Sequence, residues 1–241
     1  MNVGVDPRIL RAAEAPLAGS YATDVADELA AFDDASGVLV HVLKERGPIS
    51  VEVPMEEGEE LPEHGEYTPL MRRAAPTWRV HAQTVIGAKA LRSMRAARAV
   101  LAVGYEWEAQ PFVRIIVELL EHREAILADE TGRQAYMWPT SRRTAKIAQK
   151  SGGLYDNLSR DSHGDAATIT RLFDPTDNSI ELAPKRTHRT RATLLMLAGF
   201  ARDQAVVVGL AGMEISGLEH LDSAINAGWD KLRIEFDGGE G

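Results

Sequence analysis

Two stretches of the chain carry side chains whose types and spacing could do chemistry. Arg114 and Glu118 stand four positions apart in a long apolar segment, and Tyr155, Ser159 and His163 follow at intervals of four in a later one. A histidine beside a carboxylate can act as a general acid or base, and an arginine can clamp an anion. We therefore interpret His163, Glu118 and Arg114 as candidate catalytic residues and Tyr155 and Ser159 as candidate ligand-binding residues.

The same residues also allow a purely structural interpretation. If Arg114 and Glu118 face inward they must pair, because an unpaired buried charge is costly. Such a pair would tie their helix to residues 154–163. In either interpretation we expect His163 close to Arg114 or Glu118. A Glu118 partner would raise the pKa of His163, which is the case we expect, and an Arg114 partner would lower it.

Signatures of common cofactor, metal and nucleophile sites are missing from the sequence. It contains no GxSxG, Walker, GxGxxG or HExxH pattern. It contains no cysteine, which excludes disulfides, thiolate zinc sites and a cysteine nucleophile. Glu118 and His122 could chelate a metal at i, i+4, but a di-iron bundle needs two Glu-x-x-His motifs and further carboxylates. We expect neither a metal nor a cofactor.

The segment around Arg114 and Glu118 is predicted to be a central helix packed on several sides. Its apolar residues cover well over half of the circumference of a helix with 3.6 residues per turn. They are Phe112, Val113, Ile115, Ile116, Val117, Leu119, Leu120, Ile126 and Leu127. The polar strip that remains holds Arg114, Glu118, Glu121 and His122.

Charge is segregated along a chain whose net charge is −9. Residues 1–70 hold 15 acidic and 4 basic side chains, whereas residues 71–100 hold 7 basic and no acidic ones. The overall sign disfavours nucleic acid as a general partner.

Four of the basic residues, Lys89, Arg92, Arg95 and Arg98, step by threes along a predicted helix. A ladder of this kind could track phosphates. No aromatic residue interleaves with it, so we expect an acidic partner within the chain, such as residues 52–66. We assign no nucleic-acid-binding residues.

Start and stop signals predict the helix boundaries. Gly47-Pro48 should end an N-terminal helical stretch, and Thr77 can cap a helix that runs to about Val103. Gly104 should separate it from the central helix, where Pro111 fits a first turn or a kink. Ser216 with Glu219 forms a capping box for the last helix.

The predicted fold class is mainly all-α, a multi-helix bundle with a small β-hairpin insertion. N-terminal helices occupy residues 1–47, an acidic extended connection residues 48–76, and the bundle core residues 77–236, with the hairpin at 166–184. The N-terminal helices either complete the core or exchange with a second subunit, so a homo-oligomer is one option.

The sequence predicts a cytoplasmic protein without a membrane segment. No apolar run approaches the roughly 20 residues that a bilayer span needs. The N-terminus, MNVGVDPRIL, lacks the basic start and apolar core of a signal peptide.

A resemblance follows from the spacing of these motifs. An Arg-x-x-x-Glu pair on an apolar helix, then Tyr-x-x-Leu-Ser-x-x-x-His, a small hairpin and another apolar helix resemble a widespread family of largely uncharacterised, mostly helical bacterial and phage proteins. The matching residues are Arg114, Glu118, Tyr155, Leu158, Ser159 and His163, and the resemblance covers roughly residues 85–210.

Similar bundles occur among HEPN domains (higher-eukaryote and prokaryote nucleotide-binding), many of which are ribonucleases in toxin and phage-defence systems. Those nucleases place an arginine further ahead of the histidine than Arg160 stands before His163. This departure weakens the implied ribonuclease activity and leaves a nucleotide-binding or RNA-binding descendant open.

Two functional hypotheses follow. The leading one is a soluble binding or regulatory protein, of a phage-defence or toxin–antitoxin kind, with a small anionic ligand or a protein as its partner. The rival is an enzyme, a HEPN-like ribonuclease or another hydrolase that uses His163, so enzymatic activity is left open. An accessible pocket around His163 would favour the enzyme, and a sealed ion-pair network would favour the binding protein.

Overall fold

A computed structural model of the protein describes residues 7–47, 53–60, 66–138, 173–174, 179–180, 188–209, 215 and 217–237. Within them the helices are α1 (Pro7–Asp24), α2 (Ala26–Arg46), α3 (Pro69–Arg73), α4 (Ala75–Ala102), α5 (Gln110–Ala128), α6 (Arg133–Met137), α7 (His188–Gly209) and α8 (Leu218–Asp237). The described part is mostly helical and forms a multi-helix bundle, which confirms the predicted all-α class.

The hairpin was predicted over residues 166–184, most of which lie outside the described residues. Within that range, β1 (Phe173–Asp174) and β2 (Ser179–Ile180) pair in antiparallel fashion. The insertion as a whole stays a prediction. After α6 the structure describes one further residue, Trp138, before residue 173.

The centre of the bundle is formed by α2, α4 and α7. α4 contributes an apolar stripe at helical spacing to this core, because Ile86, Ala90, Met94, Ala97 and Leu101 are all fully buried. α7 contributes mainly leucines and alanines to the same core, and α2 packs along it. Small side chains on α4 and α7 let the helix backbones approach closely, so this part of the core is tightly packed.

The N-terminal helices belong to the core of their own chain. Phe32 and Leu39 of α2 are buried in the same cluster as the residues of α4 and α7. Within residues 7–47 the helices complete the core of this chain. The alternative, exchange with a second subunit, stays a prediction. A break at Val25 divides the predicted helical stretch into α1 and α2.

The acidic connection is shorter than predicted. α3 and the start of α4 lie inside the predicted range of 48–76, and both helices carry a proline in their first turn, where it needs no hydrogen-bond partner. α4 therefore begins at Ala75 without a side-chain cap, and the prediction that Thr77 caps it was wrong. The predicted separation at Gly104 is confirmed, since this residue adopts a φ of 87° after α4.

α5 is less enclosed than the sequence predicts. It packs mainly on α4 and also contacts α6, with Val113, Ile116 and Ile126 buried. Ile115 and Leu127 are each 42% exposed, so its apolar surface extends beyond the part that is covered. Pro111 lies in the first turn, as one of the two predicted options.

The turn between α5 and α6 is fastened to the start of α4. Arg79 donates a hydrogen bond to the carbonyl of Asp129, and the Tyr67 hydroxyl donates one to the carbonyl of Thr131. Gly132 follows with a φ of 76° and lies directly against Ala75. This turn holds α6 beside α4.

Within the described residues one helix, α7, is long and apolar enough to cross a membrane. More than half of its most apolar window is buried inside the bundle, which is the position of a core helix.

Candidate functional site

The predicted ion pair on α5 is present but partly exposed. Nε of Arg114 lies 3.1 Å from Oε1 of Glu118. Their side chains are 20% and 21% exposed, so the expectation of a pair sealed in the interior needs correction. Among the described helices α5 packs mainly on α4, which leaves part of its circumference open to solvent at these two residues. The pair is a side-chain link along one helix, of the i, i+4 type.

The other three predicted site residues, Tyr155, Ser159 and His163, lie outside the described residues. Their proximity to α5, and the raised pKa expected for His163, stay predictions. The candidate site can therefore be built only from the α5 side.

On that side, His122 stands one turn beyond Glu118 and is half-buried. Its ring centroid is 6.2 Å from that of Trp138, in an edge-on arrangement, and Nζ of Lys89 lies 4.8 Å from the Trp138 ring centroid. Burial lowers the pKa of His122; the Glu118 carboxylate opposes this, and the Lys89 ammonium adds to it. Near neutral pH the imidazole is therefore held uncharged.

We call Arg114, Glu118, His122, Lys89 and Trp138 the α5 cluster. The sequence analysis placed Arg114, Glu118 and His122 on the polar strip of this helix. It did not predict that Lys89 and Trp138 lie beside them. Lys89 was visible at one end of the basic ladder, but no signal placed Trp138 beside it. Only the packing of α6 on α4 brings these two side chains together.

The basic ladder of α4 has a different set of partners from the one predicted. Arg98 pairs with Asp33 of α2 at 3.0 Å and lies over the ring of Phe32, while Lys89 contacts Trp138. Arg92 and Arg95 are exposed, and neither has an ion-pair partner within the parts of the chain that the structure describes.

The acidic segment does not cover this ladder in the residues that are described. Glu56 and Glu59 instead pair with Arg73 of α3. Within residues 53–60 the acidic segment therefore pairs directly ahead of α4 and not with the ladder. The acidic partner within the chain that was expected is found for Arg98 alone among the described residues, and it is Asp33.

A buried carboxylate that the sequence analysis missed, Glu106, lies at the start of α7. Glu106 is 6% exposed and accepts hydrogen bonds from the backbone N–H of Thr190 at 3.0 Å and from its hydroxyl. A negative group at this position satisfies free N–H groups and complements the positive end of the helix dipole. Beside it, the Arg189 guanidinium lies 3.6 Å from the ring centroid of Trp107.

A second buried carboxylate, Glu28 of α2, is held by Arg191 of α7. Arg191 also pairs with Glu235 of α8 and thereby joins three helices. The hydrogen bond to Glu235 and the contacts with Glu28 raise the pKa of Arg191 against its burial, and the same bond lowers the pKa of Glu235. Glu28 lies between Val25 and Phe32 on the buried stripe of α2, a signal that the sequence did contain.

A third polar set crosses from α4 to α7. Gln204 is fully buried and donates to the carbonyl of Gln83, while Nη1 of Arg123 lies 3.4 Å from its side-chain oxygen. This explains why Arg123 stands on the apolar side of α5, since it reaches a buried partner on α7. The contact stabilises the bundle and offers no reactive group.

The described residues contain no cluster of three or more histidine, cysteine, aspartate or glutamate side chains that could hold a metal ion. In the same residues His122 makes no hydrogen bond, and its ring packs against Trp138. No protein-family model, curated protein or solved structure matches this chain.

Proposed function

We propose that this chain is a binding or regulatory helical-bundle protein and that the α5 cluster takes part in recognising a small anionic ligand or a protein partner. The observation that carries the proposal is that the two groups of the cluster that could accept a proton, Glu118 and His122, are paired or held uncharged. Glu118 is engaged by Arg114, and His122 is held uncharged against an aromatic ring. Arg114 and Lys89 are the cations of the cluster that an anion could contact, Arg114 through its guanidinium fork.

The arrangement gives less support to acid–base chemistry. A general base needs a hydrogen-bonded, oriented position and a pKa near the working pH. In the described part of the site no hydrogen bond fixes the ring of His122, and burial lowers its pKa. The rival, a HEPN-like ribonuclease or other hydrolase, uses His163, with Glu118 and Arg114 as the other candidate catalytic residues. A phage-defence or toxin–antitoxin role belongs to the proposal on the strength of the resemblance, and a cytoplasmic location is carried over from the sequence analysis.

Calorimetric titration with inorganic phosphate and with adenosine monophosphate tests the ligand. We expect binding that weakens about tenfold when Arg114 is replaced by Gln, the loss of one charge-assisted contact. The matched control is Arg233→Gln on α8, where the arginine is exposed and far along the chain from the cluster. It should leave the affinity unchanged.

A parallel incubation with single-stranded RNA tests the rival. Cleavage that disappears in His163→Ala would favour the enzyme and overturn the proposal. Absence of binding by both anions in the unaltered protein would remove the small-ligand form of the proposal and leave a protein partner to be tested.

A further inference from the structure

The outward face of α4 presents cations that the rest of the described chain does not neutralise. The first and last residues of the basic ladder have partners within the chain, because Lys89 lies over the ring of Trp138 and Arg98 pairs with Asp33. Between these edges Arg92 and Arg95 are exposed and have no ion-pair partner within the described residues. Two guanidinium groups are therefore left facing solvent on a chain of net charge −9.

Two small residues share this face with the arginines. Ala88 and Ala99 are exposed on it, one near each end. Positions 88, 92, 95 and 99 recur at the spacing that places residues on one side of a helix. The face therefore presents two neighbouring cations with small side chains on either side of them.

From this geometry we infer that the outward face of α4, formed by Ala88, Arg92, Arg95 and Ala99, docks an acidic segment of a partner protein. Arginine pairs with carboxylates through a planar fork, and opposite charges speed association and fix the register of the two surfaces. The face is separate from the α5 cluster, so the inference can fail while the proposed ligand site holds.

The dimensions of the face favour a protein over a nucleic acid. Arg92 and Arg95 are three residues apart, so they span only about 5 Å along the helix axis. Duplex binding typically uses on the order of 6–10 phosphate contacts, many more than two arginines can make. A partner with two or three clustered carboxylates matches the face better.

The test uses the whole chain and a synthetic helical peptide that carries glutamates along one side, with fluorescence anisotropy as the readout. We expect binding at about 0.05 M salt that weakens at about 0.15 M salt, because the contact is electrostatic. Replacing both arginines by glutamate (R92E/R95E) should weaken the peptide complex by roughly tenfold or more, because attraction becomes repulsion.

The control R72E/R233E changes the net charge by the same amount at exposed arginines of α3 and α8. It should lose less than about twofold in affinity. An equal loss in both variants would show a general charge effect and overturn the inference, as would absence of peptide binding at the lower salt concentration.

A second experiment measures binding of a duplex and of a single-stranded oligonucleotide by the same method. Nucleic acid is tested because residues 131–155 contain five basic and no acidic side chains. If R92E/R95E abolished oligonucleotide binding while the peptide did not bind, the face would be a nucleic-acid surface and the inferred protein partner would be wrong. Circular dichroism melts of both variants distinguish lost binding from lost folding.

Discussion

Arg191 of α7 encloses the carboxylate of Glu28 of α2, with its Nε and Nη2 atoms each 2.7 Å from Oε1. The Glu28 side chain is only 2% exposed, whereas Glu235, the other partner of Arg191, is 48% exposed. One arginine therefore serves a buried carboxylate and a surface carboxylate at once. Loss of the buried Arg191–Glu28 pair should therefore lower the free energy of unfolding far more than loss of the exposed Arg191–Glu235 pair.

Replacing Arg191 by Ala should lower the free energy of unfolding by about 3–5 kcal/mol, because Glu28 would be left buried without a counter-charge. Glu235→Gln should cost far less, since that carboxylate is open to solvent and its ion pair is screened. Urea denaturation of the two variants measures both values. A loss below about 1 kcal/mol for Arg191→Ala would contradict the buried pair.

Loss of the Arg114–Glu118 pair on α5 should lower the free energy of unfolding much less than loss of the Arg191–Glu28 pair. Arg114→Ala is expected to cost only about 0.5–1 kcal/mol, as for a partly exposed i, i+4 ion pair. The same urea experiment compares it directly with Arg191→Ala. A loss as large as that of Arg191→Ala would show that Glu118 is sealed from water, as the apolar character of the α5 sequence indicates.

The lowered pKa of His122 predicts a dependence of stability on pH. Because burial favours the neutral ring in the folded state, the unfolded chain binds a proton first as the pH falls. This stabilisation is complete above about pH 6.5 and is lost as the pH falls from there toward the lowered pKa of the folded state. NMR titration of His122 should give a pKa below that of a free histidine. In His122→Asn the corresponding slope of stability against pH should vanish, and an unchanged slope would refute the assignment.

Gly132 should be far less tolerant of substitution than Gly37. A Cβ atom at Gly132 would lie 2.4 Å from the Cβ of Ala75, and the residue has a φ of 76°. Gly132→Ala should therefore destabilise the protein by at least about 1–3 kcal/mol from backbone strain alone. Gly37 is exposed within α2, and a Cβ atom added there would have nothing within 4 Å. Gly37→Ala should instead stabilise by about 0.5–1 kcal/mol. Thermal melts that ranked the two variants in the opposite order would refute the tight turn after α5.

In the α5 cluster, contacts within one helix could be predicted from the sequence, whereas contacts between helices could not. The i, i+4 relation of Arg114 and Glu118 follows from helical periodicity, so the sequence alone is enough to predict the pair. The contact of Lys89 with Trp138 joins α4 to the end of α6, and its two residues are separated by the rest of α4, by the whole of α5 and α6 and by the two turns between these helices. No periodicity within one element specifies such a contact.

The sequence by itself determined the helical class and the apolar stripe of α4, because both depend on the 3.6-residue repeat of a single helix. It also contained the signal of Glu28, a carboxylate placed among buried residues of α2. Only the tertiary structure decided that Arg191 forms the ion pair with Glu28. It also decided that Arg92 and Arg95 are exposed to solvent, whereas Arg98 forms an ion pair with Asp33. The physical reason is that the partner of a buried or exposed charge is chosen by how distant helices pack, whereas local periodicity fixes only the face on which the charge lies.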